Sequence, residues 1–376
     1  MNTVTKRTAP LYTKEISGMM AGVAIVLMMT QHLFPWPEWL SEGVSWHSPL
    51  GDFGKKLTLL ISYFGGVSVN LFAITSGYVL IANPKAYATV KSRLRRLFHF
   101  LIGYWMVEAL FLLIGALNGD TMPTLKQLAC NMVGLSTGPL HPWVNVPFAW
   151  YVAYYIEFII LVPVLLWLYK GRTISKDITV TIIMVLISCM ARGTLHIPHL
   201  HYLVCDAVSA LWALMSSCFG ILIAKYSLFE KAHDKIGKKI PVWRLLIYSF
   251  IIFVCHYYLP LLHKNGEAIL GIISLILDAI IATILMYFIL EMLIRIKWNP
   301  LKQTLLVLGK YSMYLWFLHG IFFTGKHFLQ PQLYSLTDPI LILAACIISL
   351  LPVAYLTHHL VSLLFSLPKT PFLKIC

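Results

Sequence analysis

Apolar residues in this chain fall into long, nearly unbroken runs separated by short polar connectors. Ten runs are visible, at about 16–34, 57–82, 94–117, 147–169, 178–195, 203–225, 243–262, 266–294, 304–326 and 339–366. At about 1.5 Å per helical residue, each is long enough to cross a hydrocarbon layer about 30 Å thick. The longer ones are expected to tilt or to extend past the membrane surface. Alternation of period two, the signature of an outer-membrane barrel, is missing. The pattern therefore predicts an all-α polytopic membrane protein with about ten transmembrane helices, forming one transmembrane domain over residues 1–376. The first run follows basic residues and has no small-residue cleavage site after it, so it is read as a retained helix. The longest connector, 118–146, is expected to be partly helical, and no internal repeat or low-complexity tract interrupts the pattern.

Composition supports that class. The chain has 376 residues, of which 59% are hydrophobic and 12% charged, and a mean hydropathy of +0.78. Soluble domains carry about 25% charged residues. Charge then supplies the orientation. Of the 29 Lys and Arg, only Lys55, Lys56, Lys126, Arg192, Lys264 and Lys326 fall in connectors on the side opposite the N-terminus, and Lys310 falls inside a run. The positive-inside rule makes both termini cytoplasmic. Topology thus accounts for the net charge of +14, and no nucleic-acid partner is needed.

Candidate chemistry lies in the polar residues that interrupt the runs. Ionisable groups inside a bilayer are costly and are functional candidates by default. His32 stands near the far end of the first run, about 24 Å above Ile16 if the run is one helix. That depth puts it in the outer leaflet. Asn70, Glu108, Glu157, Asp206, Asp278, Lys310 and His319 also lie within runs. Topology gives His319 the same outer half as His32, and Lys310 a deeper position from which it is expected to pair with Asp278 or Glu157. Either such groups are satisfied pairs between helices or they line a polar pathway.

The other polar signals are weaker. Seven cysteines, Cys130, Cys189, Cys205, Cys218, Cys255, Cys346 and Cys376, include no CxxC and read as small apolar packers. His196, His199 and His201, followed by Asp206, fit no standard metal motif, and no metal site is expected. His47, His141, His263 and His327, with Trp36, Trp39, Trp46 and Trp143, gather on the outer side. They form either an interfacial aromatic belt or a rim that stacks against sugars.

Six blocks, in order, resemble the acyltransferase 3 family of integral membrane O-acyltransferases. The stretch from Gly22 to His32 is similar to that family's first helix. Val67 to Ser76-Gly77-Tyr78 resembles its second-helix signature, and Arg93-Leu-Arg-Arg96 resembles its basic Arg-x-x-Arg motif. Trp150 to Glu157 and Pro163, Phe219 to Glu230, and Leu308-Gly-Lys-Tyr-Ser312 to His319 resemble later blocks.

The resemblance implies transfer of an acyl group, by default acetyl, from cytoplasmic acyl-CoA to a hydroxyl of an extracytoplasmic saccharide, on the cell surface or lipid-linked. Acetyl-CoA would be the co-substrate. The implied catalytic group is His32 as general base, with Glu157 and His319 as further candidates. His319 is either a second catalytic group or a satisfied histidine between helices. The implied donor-binding residues are Arg93 and Arg96, which share a helix face, with Ser76 and Gly77. One departure stands out: the family's cation eleven residues before the helix-one histidine is Ala21 here. Lys14, eighteen residues before His32 and so five turns away on the same face, is the candidate substitute. A transporter or flippase for a glycolipid or small metabolite, and a non-catalytic partner in polysaccharide export, are the alternative functions. A carrier should show inverted repeats and broken helices.

Overall fold

The computed structural model describes residues 10–35, 39–117, 119, 121–134, 150–171, 173–193, 211–263, 268–324 and 329–366. Trp36, His141, Trp143, His196, His199, His201, Cys205, Asp206, His327 and Cys376 lie outside the described residues, as do the side chains of Arg192 and His263. No β-strand occurs among the described residues. In chain order the helices are α1 (Lys14–Leu33), α2 (Gly51–Phe64), α3 (Val67–Ala82), α4 (Val90–Leu117), α5 (Leu125–Asn131), α6 (Trp150–Leu168) and α7 (Ile174–Gly193). They continue with α8 (Leu214–Tyr226), α9 (Leu228–Lys235), α10 (Val242–His263), α11 (Ala268–Leu293), α12 (Asn299–Leu318), α13 (Ile321–Thr324), α14 (Leu329–Tyr334) and α15 (Pro339–Ser366).

Each of the ten expected runs contains a helix, but three differ in detail. The run 57–82 starts earlier and breaks at Gly65-Gly66 between α2 and α3. The run 203–225 continues through a 65° bend at Ser227 into α9. The run 304–326 starts at Asn299 and is interrupted at His319-Gly320. Among the described residues, eight helices are long and apolar enough to cross a membrane, or nine with the bent pair counted as one span. The connector 118–146 carries α5, whose Thr124 and Gln127 form a reciprocal capping box.

Helix contacts in a bilayer depend on close packing, because lipid offers no hydrophobic drive between helices. Two glycine seams supply that packing. In the first, α1 lies on α12: a Cβ on Gly22 would overlap the Leu305 carbonyl, and one on Gly309 would overlap the Gly18 carbonyl. In the second, Gly77 of α3 faces the Ser217 carbonyl of α8, and Gly220 faces the Ile74 carbonyl. Ser216 Oγ donates to Asn70 Oδ1 (2.7 Å) across the same seam, which satisfies one of the buried polar residues.

Ionic clamps hold the face where α1 begins. Glu15 pairs with Lys302. Fully buried Asp177 pairs with Lys225 and accepts from the Tyr226 hydroxyl. Fully buried Glu291 accepts from Arg295 (2.9 Å), which also donates to the Ile240 and Gly237 carbonyls, and contacts His233. Each carboxylate has cationic partners, as burial of a charge requires. Lys310 differs from the expectation. It is exposed on α12 with its ammonium 5.1 Å from the Tyr311 ring centroid, and no ion pair joins it to Glu157.

Candidate active site

The first glycine seam determines where the two membrane histidines meet. α1 and α12 run side by side and end on the same side of the bundle, so His32 in the last turn of α1 faces His319, the C-cap of α12. Their rings stack at 4.8 Å with planes 10° apart, and His32 Nδ1 lies 2.7 Å from His319 Nε2. His319 is fully buried, while His32 is partly exposed.

Hydrogen-bond chemistry assigns the protons. His319 Nδ1 lies 3.3 Å from the Leu315 carbonyl, which can only accept. In a neutral imidazole that places the proton on Nδ1 and leaves Nε2 as an acceptor. His32 Nδ1–H then donates to it, and the lone pair of His32 resides on Nε2. A chain from the Leu315 carbonyl through His319 to His32 favours this tautomer.

The outer loop covers this pair. The Trp39 ring lies 6.1 Å from His32 and 5.9 Å from Phe323. Gln330 of α14 holds the loop by donating to the Trp39 carbonyl (3.0 Å) and accepting from Ser41 N (2.6 Å). The Tyr334 hydroxyl donates to the Leu33 carbonyl (2.5 Å). Trp46 is buried edge-on to Phe34 rather than presented as a stacking rim, so of the described outer tryptophans Trp39 is the one beside the histidines.

Below the pair, a cavity of about 640 Å³ opens between α3, α4, α6 and α12. Its polar end is Ser92, Arg95, Arg96 and His99, spaced so that they follow one face of α4. Arg96 is held in place: its Nε donates to the Ala86 carbonyl (3.1 Å), and its guanidinium lies 4.6 Å from the Tyr87 ring. Burial pushes the Tyr87 hydroxyl above its ordinary value despite the opposing pull of Arg96, so it stays neutral at physiological pH. The other walls are aromatic: Trp316 meets Phe72 edge-on at 5.4 Å and Tyr151 at a tilt at 4.7 Å. Trp316 precedes His319 by three residues, about 4.5 Å along the axis. One end of the cavity is thus basic, and its lining residue Trp316 stands one helical turn before His319.

The remaining sequence candidates scatter. Arg93 does not line the cavity, whereas Arg95 does. Lys14 is exposed at the start of α1, a helix that contributes nothing to the lining. Ser76 Oγ donates back to the Phe72 carbonyl beside cavity-lining Tyr151. Gly77 is spent on the second seam, against α8 and away from the cavity. Glu157 has a buried Oε2 with no hydrogen-bond partner. It follows Tyr155 by two residues, which turns it about 200° around α6 from the cavity wall. Arg95, His99, Tyr151 and Tyr155 were missed. The i, i+3, i+4, i+7 spacing of Ser92, Arg95, Arg96 and His99 was the available signal.

A family model described as an acyltransferase domain (Acyl_transf_3) matches residues 19–359, nearly the whole chain. The chain belongs to the acyltransferase 3 family. It is therefore a multi-pass membrane acyltransferase, and the described cavity and histidine pair lie inside the matched region. No curated protein and no solved structure matches it.

Proposed function

We propose that this acyltransferase 3 protein resides in the cell membrane and moves an acetyl group from cytoplasmic acetyl-CoA to a hydroxyl of an extracytoplasmic saccharide, with His32 as general base. The observation that carries this reading is a cavity with a basic end and aromatic walls, whose lining residue Trp316 stands three residues before the His319 that contacts His32. Arg95 and Arg96 suit the phosphates of a CoA headgroup, since guanidinium forks bind phosphate oxygens bidentately. Phe72, Tyr151 and Trp316 suit an uncharged thioester arm. His32 Nε2 takes the proton as the acceptor hydroxyl oxygen bonds to the thioester carbonyl carbon. The carbon–sulfur bond breaks, the thiolate leaves, and His32 returns the proton to it. His319 Nε2 accepts a charge-assisted bond from His32 while that ring is cationic. Trp39, beside His32, supplies an aromatic face for a sugar ring.

The test uses purified protein in vesicles with acetyl-labelled CoA and candidate glycans. Wild type should transfer label to glycan, and His32→Ala should reduce the rate by about 100-fold or more. Undiminished transfer by His32→Ala would remove His32 from the chemistry. Solute uptake without any transfer would favour the carrier.

A further inference from the structure

Lys310 lies eight residues beyond Lys302 on α12, about 12 Å farther into the membrane. It is exposed at the outer surface of the bundle, and among the described residues no carboxylate forms an ion pair with it. An ammonium in hydrocarbon needs a counter-charge or a route to the surface. Among the described residues, its neighbours supply no negative charge. On α15, His358 stands edge-on to Tyr311 and Tyr314, at 5.5 Å and 5.8 Å. His359, also exposed, lies 4.2 Å from Tyr355 and 6.0 Å from His358. His99 of α4 packs 5.1 Å from Phe365. The charged and titratable groups around His358 are Lys310, His99 and His359, all basic.

Three helices thus present a basic and aromatic face to the lipid in the half of the membrane nearer the basic side. Nothing in the acyl-transfer reading uses Lys310, His358 or His359. We propose that this face of α12 and α15 is a binding site for one anionic phospholipid of the cytoplasmic leaflet. The phosphate is drawn to the Lys310 ammonium and to the imidazole N–H groups of His358 and His359. The acyl chains lie along exposed Leu356 and Ile348 of α15, which extend from the histidines toward the membrane centre. Basic pockets between spans on the cytoplasmic side select such headgroups. Because His99 also lines the cavity, the bound lipid would abut its wall.

The site is tested by native mass spectrometry of the detergent-purified protein, incubated with equal amounts of phosphatidylglycerol and phosphatidylcholine. Wild type should retain phosphatidylglycerol over phosphatidylcholine by about fivefold or more, the factor expected for one basic group near an anionic surface. The combined variant Lys310→Gln, His358→Gln, His359→Gln should bring the two lipids to near parity, and Lys176→Gln should leave the preference intact. Equal retention by wild type, or a preference that survives the combined variant, would overturn the site. Displacement of the lipid by millimolar glycerol phosphate would overturn it in favour of a soluble phosphate ligand. If the combined variant does not fold, wild type is photolabelled with phosphatidylglycerol carrying a diazirine in its chain. Label on α12 and α15 supports the site, and label only elsewhere rejects it.

Discussion

At the scale of single residues, the proposed reaction gives His319 and Arg96 different tasks, and they should fail differently. In the proposed reaction His319 contacts the base His32 rather than the acceptor, and acts through that ring's tautomer and charged form. His319→Gln keeps a polar group but loses the imidazole acceptor geometry. It should lower kcat by about 10-fold to 100-fold, the upper end being the lower bound for a lost general base, with the KM for acetyl-CoA unchanged in steady-state assays. Arg96 is held by Ala86 and Tyr87 with its face to the cavity. Arg96→Gln should raise the donor KM by about tenfold, the loss of one charge-assisted hydrogen bond of roughly 1.4 kcal/mol, and leave kcat nearly intact. Arg93→Gln should have a much smaller effect on the same donor titration, since Arg93 is off the lining.

Between helices, the glycine seams carry the geometry. α1 and α12 approach so closely that side chains at Gly22 or Gly309 would meet backbone. Gly309→Leu should cost about 1–3 kcal/mol by overpacking and should lower the detergent-solubilised melting temperature. It should also abolish transfer, because the two histidines separate. Gly77→Leu, on the other seam, should lower the melting temperature similarly, and the surviving fraction should keep its donor KM. A large rise in that KM for Gly77→Leu would return Gly77 to the donor site. Sequence reading reached the helices well, since a run such as 339–366 states its own boundaries by hydropathy and matches α15 residue for residue. It reached His32 and His319 because each is polar in an apolar run. It named Gly77 for the donor side while the structure sets Gly77 against α8, for a family signature names a residue without saying which neighbour it faces. It passed over Arg95, His99, Tyr151 and Tyr155 because aromatic and basic residues near a helix end look like ordinary interfacial anchors. Only the packing of α4 against α6 and α12 turns them into a wall.

The whole molecule is asymmetric in charge, and that asymmetry predicts its orientation. A membrane-impermeant maleimide should label His47→Cys in intact cells, and Lys239→Cys only after permeabilisation. The reverse pattern would invert the topology. A protein with its donor on one side and its acceptor on the other faces a hazard that soluble transferases do not. Any water-filled passage joining the two compartments would short-circuit the ion gradient that the membrane maintains. The throat formed by Phe72, Tyr151 and Trp316 separates the arginines from the histidine pair by rings rather than by polar groups. A hydrated ion must shed its water in such a lining with no substitute ligand, a far larger cost than an uncharged arm meets there. If the proposed transfer across the membrane holds, this ring lining is what would keep the protein electrically closed.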